Sequence, residues 1–180
     1  MSEPARRVDV RYGSSTDALT PVSRATRSFA ATRGQWLALA AVALAAVAAD
    51  QLTKWIVASN LALDDSLHVF GPFWIRHVQN SGIAFGYFPS ATAAVIVLTA
   101  GAVAWMLAYF ARSGGRHPVL PIALGLVLGG SVSNLSDRVR LGHVTDFLDF
   151  RYWPAFNLAD SFIVIGVGII LVALVLADRG

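Results

Sequence analysis

The sequence predicts an all-α membrane protein with four transmembrane helices, and its composition is the first reason. Of its 180 residues, 56% are hydrophobic and only 14% are charged, and the mean hydropathy is +0.59. An ordinary soluble domain is less apolar and carries more charge. The second reason is the presence of long apolar runs, each close to the roughly 20 residues that cross the hydrocarbon of a bilayer.

The predicted elements follow the chain in order. Residues 1–34 are rich in Ser, Thr, Ala and Arg and contain few large apolar side chains, so they are predicted to be a disordered basic tail. Residues 35–180 then form one transmembrane domain. The predicted spans cover residues 36–57, 91–111, 118–134 and 157–176. The first span has the charged start of a cleavable secretory signal, but apolar residues resume at Trp55 and complete a membrane-spanning length.

Three further local patterns lie between and within the spans. The alternation over Phe73–Val78 predicts a short strand or an interfacial element. Gly125 and Gly129 have the small-x-x-x-small spacing that allows helices to pack closely in lipid. Gly82 and Gly86 suit either a loop that folds over a site or an ordinary turn.

The basic residues predict the orientation. Nine of the fourteen lie in the tail, in the turn at Arg112 and Arg116, and at Arg179. Because cytoplasmic segments carry an excess of Lys and Arg, both termini are predicted to be cytoplasmic. This distribution indicates orientation in a membrane rather than nucleic-acid binding. It also places five polar groups at the outer membrane border: Asp50, Lys54, Asn80, Asp137 and Asp160.

An Asn-Leu-x-Asp unit occurs twice, at residues 134–137 and 157–160. In a helix, positions three apart share one face, so each unit presents an amide and a carboxyl together. A charged Asp within a bilayer costs about 2.5–3.5 kcal/mol on insertion scales, which favours a functional role for both. The alternative is that each Asp caps a helix end and faces water.

Two facing carboxyls would support peptide hydrolysis. Asp137 is predicted to end the third span and Asp160 to open the fourth, so antiparallel neighbouring helices would bring them together. Two carboxyls a few ångströms apart cannot both ionise, so one holds a proton while the other takes a proton from water. This is the chemistry of aspartic peptidases. Asn134 and Asn157 would donate hydrogen bonds at this site, and Arg138 would steady charge.

Other chemistries and other functions remain open from the residues alone. Lys54 with Ser133 or Ser136 would form a Ser/Lys dyad, and Asp50 with Lys54, four residues apart, would form a structural ion pair. Without cysteine and without a His-Glu-x-x-His motif, the sequence predicts no metal site and no cofactor. A proton-coupled transporter would also use carboxyls in the membrane, although inverted repeats and broken helices are not evident. A non-catalytic assembly factor is the third alternative.

Five ordered motifs resemble those of the lipoprotein signal peptidase family, also called signal peptidase II, over Trp36–Leu176. They are Asp50-Gln-x-Thr-Lys54, Asn80-x-Gly-x-Ala-Phe85, Gly129-Gly-x-x-x-Asn134-x-x-Asp137-Arg138, Gly142-x-Val-x-Asp-Phe147 and Phe156-Asn-x-Ala-Asp160-Ser. Ser131 and Ser133 stand where the family more often has Ala and Gly.

The resemblance implies an aspartic endopeptidase of the bacterial inner membrane. Such an enzyme cleaves prolipoproteins just before the diacylglyceryl-modified cysteine and is a target of the cyclic peptide globomycin. The implied fold is a four-helix bundle, in contact with membrane lipid, that carries a small extracytoplasmic β cradle. Phe73–Val78 and Val144–Tyr152 suit that cradle.

The resemblance also implies residue roles. Asp137 and Asp160 would be the catalytic pair. The other implied roles are a substrate cleft of Asn134, Arg138, Asn157 and Ala159, an outer loop with Asn80 and Gly82, and support of the site by Asp50 with Lys54. Asp146 and Asp149, in the outer polar segment, are expected to tolerate replacement by Asn far better than the catalytic pair, although Asp146 lies in one of the five motifs and could contribute to folding.

Overall fold

The computed structural model describes residues 30–81, 92–114 and 118–177, which form four helices and three strands. The helices are α1 (Arg33–Asn60), α2 (Thr92–Ser113), α3 (Leu120–Leu141) and α4 (Leu158–Ala177). The strands are β1 (Ser66–Phe70), β2 (Phe73–Asn80) and β3 (Val144–Asp149). Gly82 and most of the predicted tail lie outside the described residues, whereas positions 33 and 34, assigned to the tail, begin α1.

A capping box starts α1. The Thr32 hydroxyl accepts a hydrogen bond from the Gln35 backbone N–H at 3.3 Å, and the Gln35 side chain accepts one from the Thr32 N–H at 2.8 Å. Gln35 Nε2 also donates to the Gly114 carbonyl at 2.8 Å, and the Ala31 N–H donates to the Ala111 carbonyl at 3.2 Å. These bonds fasten the start of α1 to the end of α2.

Helix α3 is the central helix, and small residues let its neighbours approach it. A Cβ on Gly129 would lie 2.7 Å from the carbonyl oxygen of Ala43 in α1. A Cβ on Gly130 would overlap the carbonyl oxygen of Ala159 in α4. The close packing predicted from the glycine spacing is therefore confirmed for Gly129, and Gly130 adds a second close approach on the other side of α3.

The predicted end of the third helix is wrong. Helix α3 does not end at Asn134 but continues for two more turns to Leu141, where Gly142 adopts a left-handed φ of 79° and its N–H bonds to the Arg138 carbonyl. Glycine adopts this conformation at helix ends without steric cost. Asp137 therefore lies inside α3, so its carboxyl is not a helix cap.

Three helices in the described part of the chain are long and apolar enough to cross a membrane: Arg33–Asn60, Ala93–Ser113 and Leu158–Leu176. The chain is therefore a membrane protein that is mostly helical. The prediction of a fourth span is not confirmed by length and composition, because Ser133, Asn134 and Asp137 make α3 less apolar than the others. These three polar side chains are buried inside the protein.

The strands form one antiparallel sheet in the order β1-β2-β3. The strand predicted over Phe73–Val78 is confirmed within β2, while β1 was not predicted and β3 ends at Asp149 rather than near Tyr152. Gly71, with a positive φ of 48°, begins the turn between β1 and β2. β1 is exposed along its length, whereas most of β3 is buried.

Two contacts attach the sheet to the helices. His77 Nδ1 in β2 lies 2.9 Å from the Leu61 carbonyl oxygen, directly after α1. Leu148 in β3 exchanges backbone hydrogen bonds with Phe156, two residues before α4. The sheet is thereby held where α1 and α3 end and α4 begins, and we call this region the sheet end of the bundle.

Candidate active site

A cluster of buried polar side chains occupies the sheet end. Each of them is at most 7% exposed, and they come from α1, α3, β3 and the start of α4. Buried charges and amides are costly unless they are paired or hydrogen-bonded, so their partners describe the site. The cluster consists of Asp50, Lys54, Ser133, Asn134, Asp137, Asp146 and Asn157.

Lys54 lies at the centre of the cluster. Its ammonium is 2.6 Å from Asp50 Oδ2, 2.7 Å from Asp137 Oδ2 and 2.8 Å from Asn134 Oδ1. The predicted ion pair with Asp50 is therefore confirmed, and a second one reaches α3. An ammonium with acceptors on three sides acts as a charge partner for carboxylates, which disfavours the Ser/Lys dyad. The Ser133 hydroxyl, moreover, donates to Asp50 at 2.7 Å.

Asp50 lies in α1, is fully buried and connects three helices through its hydrogen bonds. Its Oδ2 accepts from Ser133 of α3, and its Oδ1 accepts from the Ala159 backbone N–H of α4 at 2.8 Å. That N–H is among the first of α4, which have no partner within the helix. Asp50 thus stabilises the start of α4, next to Asp160.

Asp137 is 3% exposed and uses its two oxygens differently. Oδ1 accepts a hydrogen bond from Gln51 Nε2 at 2.7 Å, and the same Gln51 amide donates to the Ser133 hydroxyl at 2.9 Å. Oδ2 contacts the Lys54 ammonium, but no donor among the described residues makes a well-directed hydrogen bond to it. This oxygen is buried, and the Lys54 ammonium balances its charge.

Asp160 and Asn157 cap α4 reciprocally. The Asn157 side-chain oxygen accepts from the Asp160 N–H at 3.0 Å, and Asp160 Oδ2 accepts from the Asn157 N–H at 3.2 Å. The helix-cap interpretation is therefore correct for Asp160. It is incomplete, however, because Asp160 Oδ1 also accepts from Asn134 Nδ2 of α3 at 2.8 Å. Asn134 thereby connects Asp160 to the Lys54 ammonium.

Asp146 in β3 belongs to the same network, although the sequence suggested an independent position. Its Oδ1 accepts from Asn157 Nδ2 at 2.7 Å and its Oδ2 accepts from Asn80 Nδ2 at 3.0 Å. Burial raises the pKa of Asp146 to about 6, although the hydrogen bond from Asn80 partly opposes this shift. Asp146 is therefore not a neutral control for the site.

The other predicted site residues have different positions. Arg138 donates to the Asn134 carbonyl of its own helix at 3.3 Å and, within the described residues, forms no ion pair with Asp137 or Asp160. Ala159 and Asn157 are fully buried, so they support the site from beneath and do not form an exposed cleft wall. Gly82 lies outside the described residues.

Gln51 and Asp146 are the members of the network to which the sequence analysis gave no role at the site. Both lie inside quoted motifs, so the motif pattern contained a signal for them. Ser133 was considered only as a partner of Lys54 in the alternative dyad, whereas in the structure its hydroxyl donates to Asp50.

A cavity of about 370 Å³ opens beside Asp160. Its other lining residues are Trp153, Phe156, Ser161, Val164 and Ile165. Its walls are largely apolar, with one carboxyl at the edge. A substrate with an apolar segment next to the bond to be cleaved would fit this combination.

The sequence profile of the family described as "Signal peptidase (SPase) II" matches residues 42–176. The chain belongs to the signal peptidase II family. Two lipoprotein signal peptidases support this assignment. The protein from Symbiobacterium thermophilum is 42% identical over 143 residues, which is 77% of this chain and 94% of that protein. The protein from Halothermothrix orenii is 38% identical over 134 residues, which is 74% of this chain and 92% of that protein.

Solved structures agree with the family. A bacterial membrane enzyme determined by the in meso method at 2.3 Å resolution superposes with a TM-score of 0.72 at 31% identity, over 82% of this chain and 90% of that one. A second bacterial membrane enzyme, determined by the same method at 1.9 Å resolution, superposes with a TM-score of 0.69 at 29% identity, over 78% of this chain and 92% of that one. As a member of the signal peptidase II family, this membrane protein is a peptidase, a hydrolase that removes signal peptides.

Proposed function

We propose that this signal peptidase is an aspartic endopeptidase that cleaves prolipoproteins before the diacylglyceryl-modified cysteine, with Asp137 and Asp160 as the catalytic pair. The observation that carries the proposal is the connection between the two carboxyls. Asn134 accepts from Lys54, which contacts Asp137, and donates to Asp160. Two carboxyls from different helices thus belong to one hydrogen-bonded network, and one of them, Asp160, borders an apolar cavity.

In the first step, one carboxyl is ionised and the other is protonated. The ionised carboxylate takes a proton from water while the water oxygen bonds to the scissile carbonyl carbon. The protonated carboxyl gives its proton to the carbonyl oxygen, and a neutral gem-diol forms. Asp160 borders the apolar cavity, so a water that enters from the cavity would reach this carboxyl.

In the second step, the carboxyl that gained a proton gives it to the amide nitrogen. The other carboxylate takes a proton from one hydroxyl of the gem-diol as the C–N bond breaks. The products are a carboxylic acid and an amine, and both carboxyls return to their starting protonation states. Lys54, Asp50 and Gln51 act by holding Asp137 and the start of α4 in place.

A lipid-modified substrate suits an enzyme that lies in the membrane. A diacylglyceryl anchor would remain among membrane lipids and hold the scissile bond at the interface, where the cavity beside Asp160 opens. The signal peptide itself is apolar, which suits walls formed by Val164 and Ile165. The names of the relatives support the same substrate class.

We further propose that α3 is a fourth span and that both termini are cytoplasmic in the inner membrane. Helix α3 has 22 residues and is thus about 33 Å long, and its polar face is covered by α1 and α4. Reporter fusions test the orientation. Fusions after Gly114 are expected to report a cytoplasmic position, and fusions after Asp65 or Asp149 an outer one; the reverse pattern would overturn the placement.

The deciding experiment is cleavage of matched peptides by the detergent-purified chain. A peptide with a diacylglyceryl-modified cysteine is expected to be cleaved directly before that cysteine, and the same peptide without lipid should be cleaved poorly. A globomycin-type inhibitor is expected to block the reaction. Cleavage elsewhere, or equal cleavage of both peptides, would contradict the proposed specificity, and proton transport without cleavage would favour a transporter.

A further inference from the structure

We propose that a groove between α2 and α4, at the end of the bundle away from the sheet, binds one acyl chain of an anionic membrane phospholipid whose headgroup pairs with Arg112. The inference does not depend on the proposed catalytic function. It requires only that the chain is a membrane protein, which its helices and its family show. The walls of the groove, its volume and the charge at its rim carry the argument.

The groove is apolar and is formed by the fold itself. Helices α2 and α4 both pack on α3 and leave a cavity of about 360 Å³ between them. Met106 of α2 and Ile170 of α4 pack against the buried core around Phe110 and Leu124, so the floor is fixed. The lining includes Trp105, Met106 and Tyr109 of α2, Ala123 of α3, and Val167 and Ile170 of α4.

The volume of the groove suits a single hydrocarbon chain. A methylene needs about as much room as one water, roughly 30 Å³, so the groove holds a chain segment of about 12 carbons. An α-helix is about 10 Å wide with its side chains, and two of its turns need roughly 800 Å³. The groove is therefore too small to enclose a helix of another chain.

Arg112 supplies the charge at the rim. It lies in the last turn of α2, one turn after Tyr109 and two turns after Trp105, so the three side chains share one helix face. The exposed Arg112 guanidinium donates from Nη1 to the Ala108 carbonyl at 3.2 Å, and no described carboxylate forms an ion pair with it. An exposed guanidinium at a membrane surface attracts anionic headgroups and binds phosphate in a bidentate manner.

Trp105 and Tyr109 line the path between this charge and the apolar floor. Their rings stack with centroids 5.9 Å apart and an interplanar angle of 21°, and they are 68% and 40% exposed. Trp and Tyr favour the membrane interface because each combines an apolar ring with one polar group. A chain that enters beside Arg112 would pass along this pair, so the fluorescence of Trp105 reports its presence.

The signal peptide of a substrate is the other candidate occupant. If it is cleaved at the sheet end, the basic segment with which signal peptides begin would lie at the opposite end, beside Arg112. Like charges repel there, whereas an anionic headgroup is attracted. The charge at the rim therefore favours a phospholipid.

The test uses the full-length protein in phosphatidylcholine bilayers. The difference in fluorescence between the wild type and Trp105→Phe isolates Trp105 from the other tryptophans. Phosphatidylglycerol or phosphatidylcholine, each with a brominated acyl chain that quenches indole fluorescence, is added at increasing fractions. We expect half-maximal quenching of Trp105 at an about fivefold lower fraction of phosphatidylglycerol, which corresponds to the attraction of one Arg near a membrane surface.

Two variants address the two parts of the site. Arg112→Gln should abolish the preference for phosphatidylglycerol, whereas Arg140→Gln, at an exposed position near the end of α3, should retain it. Val167→Phe adds a ring to the α4 wall and should weaken quenching by both lipids. Leu171→Phe is its matched control, because Leu171 is exposed on α4 outside the lining of the groove.

Three results would overturn the inference. They are equal quenching by the two lipids in the wild type, a preference that survives in Arg112→Gln, and release of the lipid by a lipidated lipobox peptide, which would assign the groove to the signal peptide. The melting temperature in detergent gives a second readout: phosphatidylglycerol should raise it more in the wild type than in Arg112→Gln, and equal shifts would also contradict the site. Neither readout uses cleavage, so failure of the proposed function would leave both unchanged.

Discussion

The two Asn-Leu-x-Asp units have nearly the same sequence but different surroundings. In the first unit, Asp137 lies inside α3, is 3% exposed and contacts the Lys54 ammonium at 2.7 Å. In the second unit, Asp160 lies in the first turn of α4, borders the cavity and accepts from neutral donors, the side chain of Asn134 and the backbone of Asn157. One carboxyl is thus paired with a cation and the other with amides.

A repeated motif therefore need not produce two equivalent sites. A pair of carboxyls that shares one proton works best when its two members are unlike, since one must give a proton while the other takes one. Here the two carboxyls differ because Asp137 lies inside α3 next to Lys54 of α1, whereas Asp160 lies in the first turn of α4 and accepts from amides.

Replacement of either Asp137 or Asp160 by Asn should have the largest effect. Both variants keep size and polarity but remove a group that exchanges protons, so cleavage should fall by at least about 10³-fold, or about 4 kcal/mol in the activation barrier. Cleavage of the lipidated peptide and the melting temperature in detergent are the two measurements. Ser136→Ala should remain active; an inactive Ser136→Ala beside an active Asp137→Asn would restore the Ser/Lys alternative.

Lys54→Met should destabilise the protein more than Asn134→Ala. The first change leaves the buried carboxylates of Asp50 and Asp137 without their cation, a loss of about 3–5 kcal/mol for a broken buried ion pair. The second removes the hydrogen bonds of Asn134 with Lys54, Asn157 and Asp160 but leaves the ion pairs of Lys54 in place, which costs about 1–3 kcal/mol. Unfolding in detergent measures both.

Lys54→Arg serves as the control for this second prediction, because it retains the charge. It should keep more stability than Lys54→Met. Equal losses for Lys54→Met and Asn134→Ala would show that the cation does not distinguish the two Asp environments.

Gly130→Ala should reduce activity through the contact between α3 and α4. The new Cβ would overlap the Ala159 carbonyl, so α4 must shift, and with it the Ala159 N–H that binds Asp50. A displacement of about 1 Å at Asp160 can cost about 100-fold in rate. Gly168→Ala in α4 is the matched control, since its Cβ would meet nothing within 4 Å. Equal activity of both variants would contradict a close α3–α4 fit.

Much of the helical fold could be predicted because the signals are local. Apolar runs give the helices, and the spacing of Asn and Asp gives the two units. The sequence predicts the end of α3 too early because Asn134 and Asp137 are polar residues that follow an apolar run. Their polar groups are instead satisfied inside the bundle, so the helix continues to the left-handed Gly142.

The position of Asp146 in the buried network could not be predicted, because it depends on contacts between distant segments. Antiparallel pairing sets Asp146 opposite Val78 and brings Asn80 near it, and the bridge between Leu148 and Phe156 brings the start of α4 to the same place. Local sequence patterns contain neither the register of the sheet nor its docking on the helices.

Removal of residues 2–30 should have the smallest effect. The site and the start of α1 lie at opposite ends of a helix of 28 residues, about 42 Å long, and the bond from Ala31 to Ala111 places that start beside the end of α2. The capping residue Thr32 is retained, so α1 should still begin correctly. Turnover in detergent should be nearly unchanged. A loss beyond about tenfold, or 1.4 kcal/mol in the barrier, with unchanged expression would show that the tail acts on one of the two Asp units from a distance.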